Sequence, residues 1–254
     1  MRYKMIVAYD GTDFHGWQTQ HRPGKASLRT VQETMEKAVA KVVREPITLI
    51  GASRTDSGVH ARGQVATFAT DNVIPPEKLI MGINSWLPDD VQVKSIEETN
   101  TTFNPIDDCT SKGYKYSLAH GCSNPLNKPL FNRRFLAHTA YKLDVVKMQE
   151  AALHFIGEHD FAGFTKLNHG RESTVRKVTG CSITDLENWR ISIDVSGSGF
   201  LWNMVRIIAG TLLEVGRGYI SPENIPKVIK SCDRQKAGKT LPACGLSLEW
   251  VSFN

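Results

Sequence analysis

The first hundred residues switch hydrophobic period four times, and that succession restricts the fold more than any other property of the chain. "YKMIVAY" is a short apolar run with aromatic and β-branched residues, closed by the turn residues Asp10 and Gly11, and it reads as a strand. From Thr30 the spacing changes. Val31, Met35, Ala38, Val39 and Val42 recur at helical intervals, and Thr30 with Glu33 makes a capping box. Strand-like runs follow near 47–52 and 64–70, then a helix begins in "PPEKLIMGINSWL", then comes a strand at "VQVKSI". The order β-α-β-β-α-β is that of a split βαβ, or ferredoxin-like, half.

The remainder repeats this order more loosely. A strand is expected at "GYKYSLAH", a helix from Asp144 through Ile156, and strands near 175–184 and 189–195. A long apolar helix is expected from Phe200, another helix from near Pro222, and a closing strand at "GLSLEWVSF". The polar segment "FNPIDDCTSK", with Pro105, separates the two patterns. The expectation is an α+β protein of two domains, 1–104 and 105–254, whose duplication rests on element order alone.

At 254 residues, with 41% hydrophobic and 22% charged side chains, the chain can bury a proper core, and disorder is not indicated. Its net charge of +5 suits a phosphate-bearing partner without requiring one. Cys109, Cys122, Cys181, Cys232 and Cys244 form an odd set with no close pair, which speaks against a disulfide framework or a zinc knuckle. Neither a signal sequence nor a bilayer-spanning run is visible, so a soluble, cytoplasmic protein is expected.

Residues 53–64, "SRTDSGVHARGQ", lie between two strand-like runs, where binding and catalytic side chains often sit. Asp56 could simply bond its own backbone as an Asx-turn. Arg54, two residues before it, favours the ionised form, and an oriented carboxylate can act as nucleophile or base. His60 has no partner at metal-ligand spacing, so a hydrogen-bonding role is the better reading.

The helix "FLWNMVRIIAGTLLEVG" is apolar over most of its circumference and should be buried, which leaves Arg206 as a cation inside it. Trp202, Asn203, Ala209 and Gly210 are its neighbours at three and four positions, so no acid on the helix can pair with it. A structural ion pair or a guanidinium reaching the surface is the plain alternative. Tyr114 and Tyr116 flank Lys115 in a strand and place both rings on one face. That face is either half-buried sheet or a surface on which an unstacked base can lie.

Taken in order, "YDGTDFHGWQ", "SRTDSGVHARGQ", "YKY", "GEHDF", "GSGFLWNMVRIIAGTLLEVG" and "GLSLEWV" resemble the TruA-type tRNA pseudouridine synthases over essentially the whole chain. The resemblance implies an isomerase that turns uridine into pseudouridine at positions 38, 39 and 40 of the tRNA anticodon stem-loop, acting as a homodimer with no cofactor or metal. It implies two ferredoxin-like halves forming a continuous, mostly antiparallel sheet with a central RNA-binding cleft. The family's aspartate falls on Asp56, its active-site tyrosine on Tyr114, and the basic residue that pairs with the aspartate on Arg206. Arg54 is a candidate contact to the substrate, and Arg22, Lys25, Arg29 and Arg62 are candidates for holding phosphates.

The sequence departs from the family at two places. Ser53 stands where Gly usually precedes the Arg-Thr-Asp triplet, and "FNPIDD" stands where many relatives carry Phe-His-Ala-Arg. The arginine of that motif is absent, so its part in RNA binding does not carry over. The competing readings are a catalytically silent or retargeted RNA-binding protein of the same fold, and a metal-dependent hydrolase using Asp56 and His60.

Overall fold

The computed structural model describes residues 1–20, 24, 27–124, 128–166, 173–186 and 189–253. The chain divides into two compact units, Met1–Thr110 together with Ser247–Asn254, and Ser111–Leu246. Along the chain come β1 (Arg2–Tyr9), α1 (Val31–Val43), β2 (Ile50–Gly51), β3 (His60–Ala69), α2 (Pro76–Trp86) and β4 (Val91–Thr99). There follow β5 (Cys109–Ala119), β6 (Ala137–His138), α3 (Val145–Leu153), β7 (Gly157–Asp160), β8 (Val175–Leu186), β9 (Arg190–Gly197), α4 (Met204–Gly216), α5 (Ile225–Lys230) and β10 (Leu246–Phe253).

In the first unit the strand order is β4-β1-β3-β10, with β2 paired to β3. β1 runs antiparallel to both β3 and β4, whereas β10 is parallel to β3, with Ser247 opposite His60 and Leu248 opposite Ala61. Alternation sets the buried face of β1, where Tyr3, Met5, Val7 and Tyr9 all face inward. In α1 the buried stripe is Val31, Met35, Ala38, Val39 and Val43; Val42, expected on it, is only half-buried. The Thr30 side chain accepts from the Glu33 N–H, which starts the helix where the capping box predicts.

β10 is the last strand of the chain, yet it packs with the first unit. Phe253 meets Phe103 edge-on at 5.0 Å, and the Lys4 ammonium lies 5.6 Å from the centre of each ring. The "FNPIDD" turn is therefore anchored by Phe103. Its polar residues serve one another: Asp108 accepts the Asn104 N–H and Asn104 Oδ1 accepts the Ile106 N–H.

In the second unit the order is β5-β9-β8-β7, antiparallel throughout, with β6 added parallel to β5. β7 was not apparent in the sequence, because "GEHD" has no apolar alternation. The helix expected from Phe200 begins at Met204 instead. Asn203, with φ 63°, is in the left-handed region and breaks the run, so residues 200–203 form a turn ahead of α4.

Within α4 every residue is buried except Arg206 and Glu214. A β-carbon on Gly210 would stand 1.9 Å from the Lys239 carbonyl oxygen, so the 237–242 segment lies directly on the helix backbone. The Thr211 hydroxyl accepts the Gly238 N–H and donates to the Ile207 carbonyl, fixing that approach. Among the described residues no helix is long and apolar enough to cross a membrane.

His120, just after β5, is buried and its Nδ1 accepts the Leu143 N–H at 3.2 Å, which requires the neutral ring with its proton on Nε2. Burial lowers its pKa from the ordinary value. The folded protein resists a proton that the unfolded chain takes up below about pH 6.5, so this stability is present above that pH and is lost as the pH falls through the folded pKa. The melting temperature is expected to drop as the pH falls below about 6.5, and His120→Asn should flatten that part of the profile. An unchanged slope in the variant would show that other groups govern acid unfolding.

Candidate active site

The turn from Ser53 to Val59 carries Asp56, and its backbone is held from two sides. On one side, the Trp17 N–H donates to the Thr55 carbonyl at 3.1 Å. The Gly58 N–H and the Ser57 hydroxyl both donate to the Phe14 carbonyl at 3.2 Å. The Tyr9 and Thr55 hydroxyls lie 2.8 Å apart. On the other side, the Gln64 side chain clamps Ser53: its Oε1 accepts the Ser53 N–H at 3.2 Å and its Nε2 donates to the Ser53 carbonyl at 2.6 Å. The Val59 N–H closes the turn on the Asp56 carbonyl at 3.1 Å. Asp56 is half-buried and Arg54 is exposed at the same turn.

These contacts explain why "YDGTDFHGWQ" and "SRTDSGVHARGQ" occur in one chain: they are two walls of one structure. Gly16, with φ 91°, lies against the turn, and a β-carbon there would be 2.8 Å from the Thr55 carbonyl oxygen. Ser53 is not among the described non-glycine residues with positive φ, so its side chain imposes no backbone strain.

His60 has the hydrogen-bonding role expected for it. Its Nδ1 accepts the Gly11 N–H at 3.0 Å, so that nitrogen carries no proton and its 3.2 Å approach to Asp10 is not an ion pair. Arg29, a candidate for holding phosphate, is exposed and also serves as a brace. It makes a bidentate pair with Asp90, both bonds at 2.8 Å, and its guanidinium lies 3.9 Å from the centre of the Phe14 ring. The hydrogen bond to Asp90 pushes its pKa above the ordinary value. Arg62 has a side chain 76% exposed and only a loose 3.8 Å approach to Glu249, so it stays accessible to phosphate. Arg22 and Lys25 lie outside the described residues.

In the second unit the structure brings Tyr114 and Arg206 to either end of the 200–203 turn. Tyr114, buried on β5, meets Phe200 edge-on at 5.3 Å. Arg206 is half-buried; its Nε donates to the Leu241 carbonyl and its Nη1 to Asn203 Oδ1, both at 2.7 Å. The local search for an acid therefore missed acceptors that carry no charge. Asn203 was visible as a helical neighbour, but Leu241 is 35 residues away and left no signal. Tyr116, the other ring of the pair, is structural. It is fully buried, its hydroxyl donates to the Pro242 carbonyl at 2.8 Å, and burial raises its pKa.

The sequence pattern of the tRNA pseudouridine synthases matches residues 5–105 and 151–254. The chain belongs to this family. Among its relatives is the tRNA pseudouridine synthase A of Ruminiclostridium cellulolyticum, 44% identical over 252 residues and 99% of each chain. Those of Pelobacter propionicus and Caldicellulosiruptor saccharolyticus are each 43% identical over 98% of each chain. The matched stretches of this isomerase family hold the Asp56 turn and the Arg206 helix, while Tyr114 falls between them. Many full-length relatives span that interval.

Gln64 is the residue at this site that sequence reasoning passed over. A fully buried glutamine within the apolar strand "QVATFA" was the available signal. Gln64→Ala would remove both of these hydrogen bonds from the backbone of buried Ser53, at about 1–3 kcal/mol for each buried partner lost. A fall in melting temperature of roughly 5–15 °C is expected for a chain of this size. Calorimetry on the purified variant checks it; a fall of under about 2 °C would mean that water replaces the clamp.

Proposed function

We propose that this chain isomerises uridine to pseudouridine at positions 38, 39 and 40 of the tRNA anticodon stem-loop, with Asp56 as the nucleophile. The observation that carries this reading is the Asp56 turn itself. Its backbone is secured by Phe14, Trp17 and Gln64, so a half-buried carboxylate is presented in a fixed place before substrate arrives.

The reaction breaks the bond between ribose C1′ and uracil N1, turns the base, joins C5 to C1′ and moves a proton from C5 to N1. Atoms and electrons balance within the substrate, so the chemistry calls for no oxidant, reductant or cosubstrate. It does call for a carboxylate close to both sugar and ring, and for groups that hold the base while it turns. Arg206 supplies a positive charge to the reaction, an electrostatic role. Tyr114 contacts the uracil and takes the C5 proton. Arg54 and Arg62 contact the RNA backbone. The target uridine leaves its stack to be reached, at a cost of a few kcal/mol. The enzyme works in the cytoplasm as a homodimer.

The test uses an unmodified tRNA transcript with uridines at the three positions, incubated with purified protein and mapped by carbodiimide labelling and primer extension. Stops at those positions are expected. Their absence, with the transcript bound, would overturn the reading in favour of an RNA-binding protein without this activity.

A further inference from the structure

We propose that Trp202, together with Lys166, is a stacking platform for a nucleotide next to the target uridine and helps set how tightly the anticodon arm is held. The inference rests on the reading that the region of Tyr114 and Arg206 receives the uridine.

Three observations carry it. Trp202 is 46% exposed, although Leu201 before it and Met204 after the turn are buried. Nothing in core packing requires an indole there. Second, the residue is held in place: its carbonyl accepts the hydroxyl of buried Thr165 at 3.1 Å, and the Lys166 ammonium stands 4.6 Å from the ring centre. The platform thus offers an aromatic surface and a positive charge together, the pairing that suits a base with its phosphate. Third, Trp202 sits within the turn whose Phe200 touches Tyr114 and whose Asn203 holds Arg206.

Extruding a uridine strips its neighbour of a stacking partner, and an aromatic side chain beside the pocket can replace it. Trp86, Trp189 and Trp250 are exposed as well, but none of them belongs to the turn between Phe200 and Asn203.

Trp202→Ala and Trp202→Phe are compared with the unaltered protein on an unmodified tRNA transcript. Trp202→Ala is expected to weaken RNA binding about 5- to 150-fold, the range that the loss of one base–aromatic stack corresponds to, with the loss falling on KM far more than on kcat. Trp202→Phe should recover most of it. A Trp202→Ala protein that melts normally and binds as tightly as the unaltered one would overturn the proposal. A second readout does not depend on the alanine variant folding: quenching of tryptophan emission by the transcript should be smaller in Trp202→Phe, and equal quenching would also overturn it. The parent reading fails separately, if the unaltered protein forms no pseudouridine at the anticodon-arm sites while the binding contrast persists.

Discussion

Asp56→Asn is expected to lower the rate of pseudouridine formation by about 10⁴-fold or more, the scale seen when a nucleophile is removed, while tRNA affinity is retained. Asparagine has nearly the same shape and keeps one side-chain oxygen for local hydrogen bonds, but a neutral amide is no nucleophile. The contacts described for the turn use backbone atoms, the Thr55 carbonyl, the Gly58 N–H and the Asp56 carbonyl, and the hydroxyls of Thr55 and Ser57; none of these is the Asp56 carboxylate. They survive the substitution, so the melting temperature should shift by less than about 3 °C. Removing a negative charge beside a polyanion can only help binding. Single-turnover rates at saturating protein, set beside affinity from filter retention, separate the two effects. A variant within about tenfold of the normal rate would remove Asp56 from the role of nucleophile.

Gly16→Ala is expected to damage both stability and rate. The position has φ 91°, where a side chain is strained. Its β-carbon would stand 2.8 Å from the Thr55 carbonyl oxygen and 3.3 Å from both the Asp56 carbonyl carbon and the Ser57 nitrogen. All three are backbone atoms, so no flexible side-chain end can move aside. The turn must shift as a body, and Asp56 shifts with it. Strain and overpacking together should cost about 2–4 kcal/mol. Displacing the carboxylate by about an ångström should cost roughly 10²-fold in kcat. Gly121→Ala is the control, because Gly121 has φ 70° but nothing within 4 Å of a new β-carbon. That variant should lose about 1–2 kcal/mol from backbone strain, with activity intact. Equal losses in the two variants would show that φ alone matters and that the contact with the turn does not.

Much of this fold was legible in short-range pattern. The alternation of Tyr3, Met5, Val7 and Tyr9, the stripe through α1 with its Thr30 cap, and the apolar circumference of α4 all follow from spacings within a turn or two of chain. Where local signals conflicted, the reading drifted. Phe200 to Asn203 look helical by apolarity, but the left-handed Asn203 delays the helix by four residues, and "GEHD" is a strand only because β8 pairs with it.

The candidate site divides in the same way. Asp56, Arg54, Tyr114 and Arg206 were named from residue type, position and resemblance, and family membership follows from sequence similarity along the chain. What the residues do locally was decided by tertiary contacts. The sequence did not show that Arg29 pairs with Asp90 and lies over Phe14, that Gln64 grips the backbone of Ser53, or that Arg206 bonds Leu241. Nor did it show that β10 returns to lie parallel with β3. Hydrophobic period and capping depend on neighbours a few residues apart and so are written along the chain. A buried donor, in contrast, takes whichever acceptor the folded backbone brings within about 3 Å, whatever its distance in sequence.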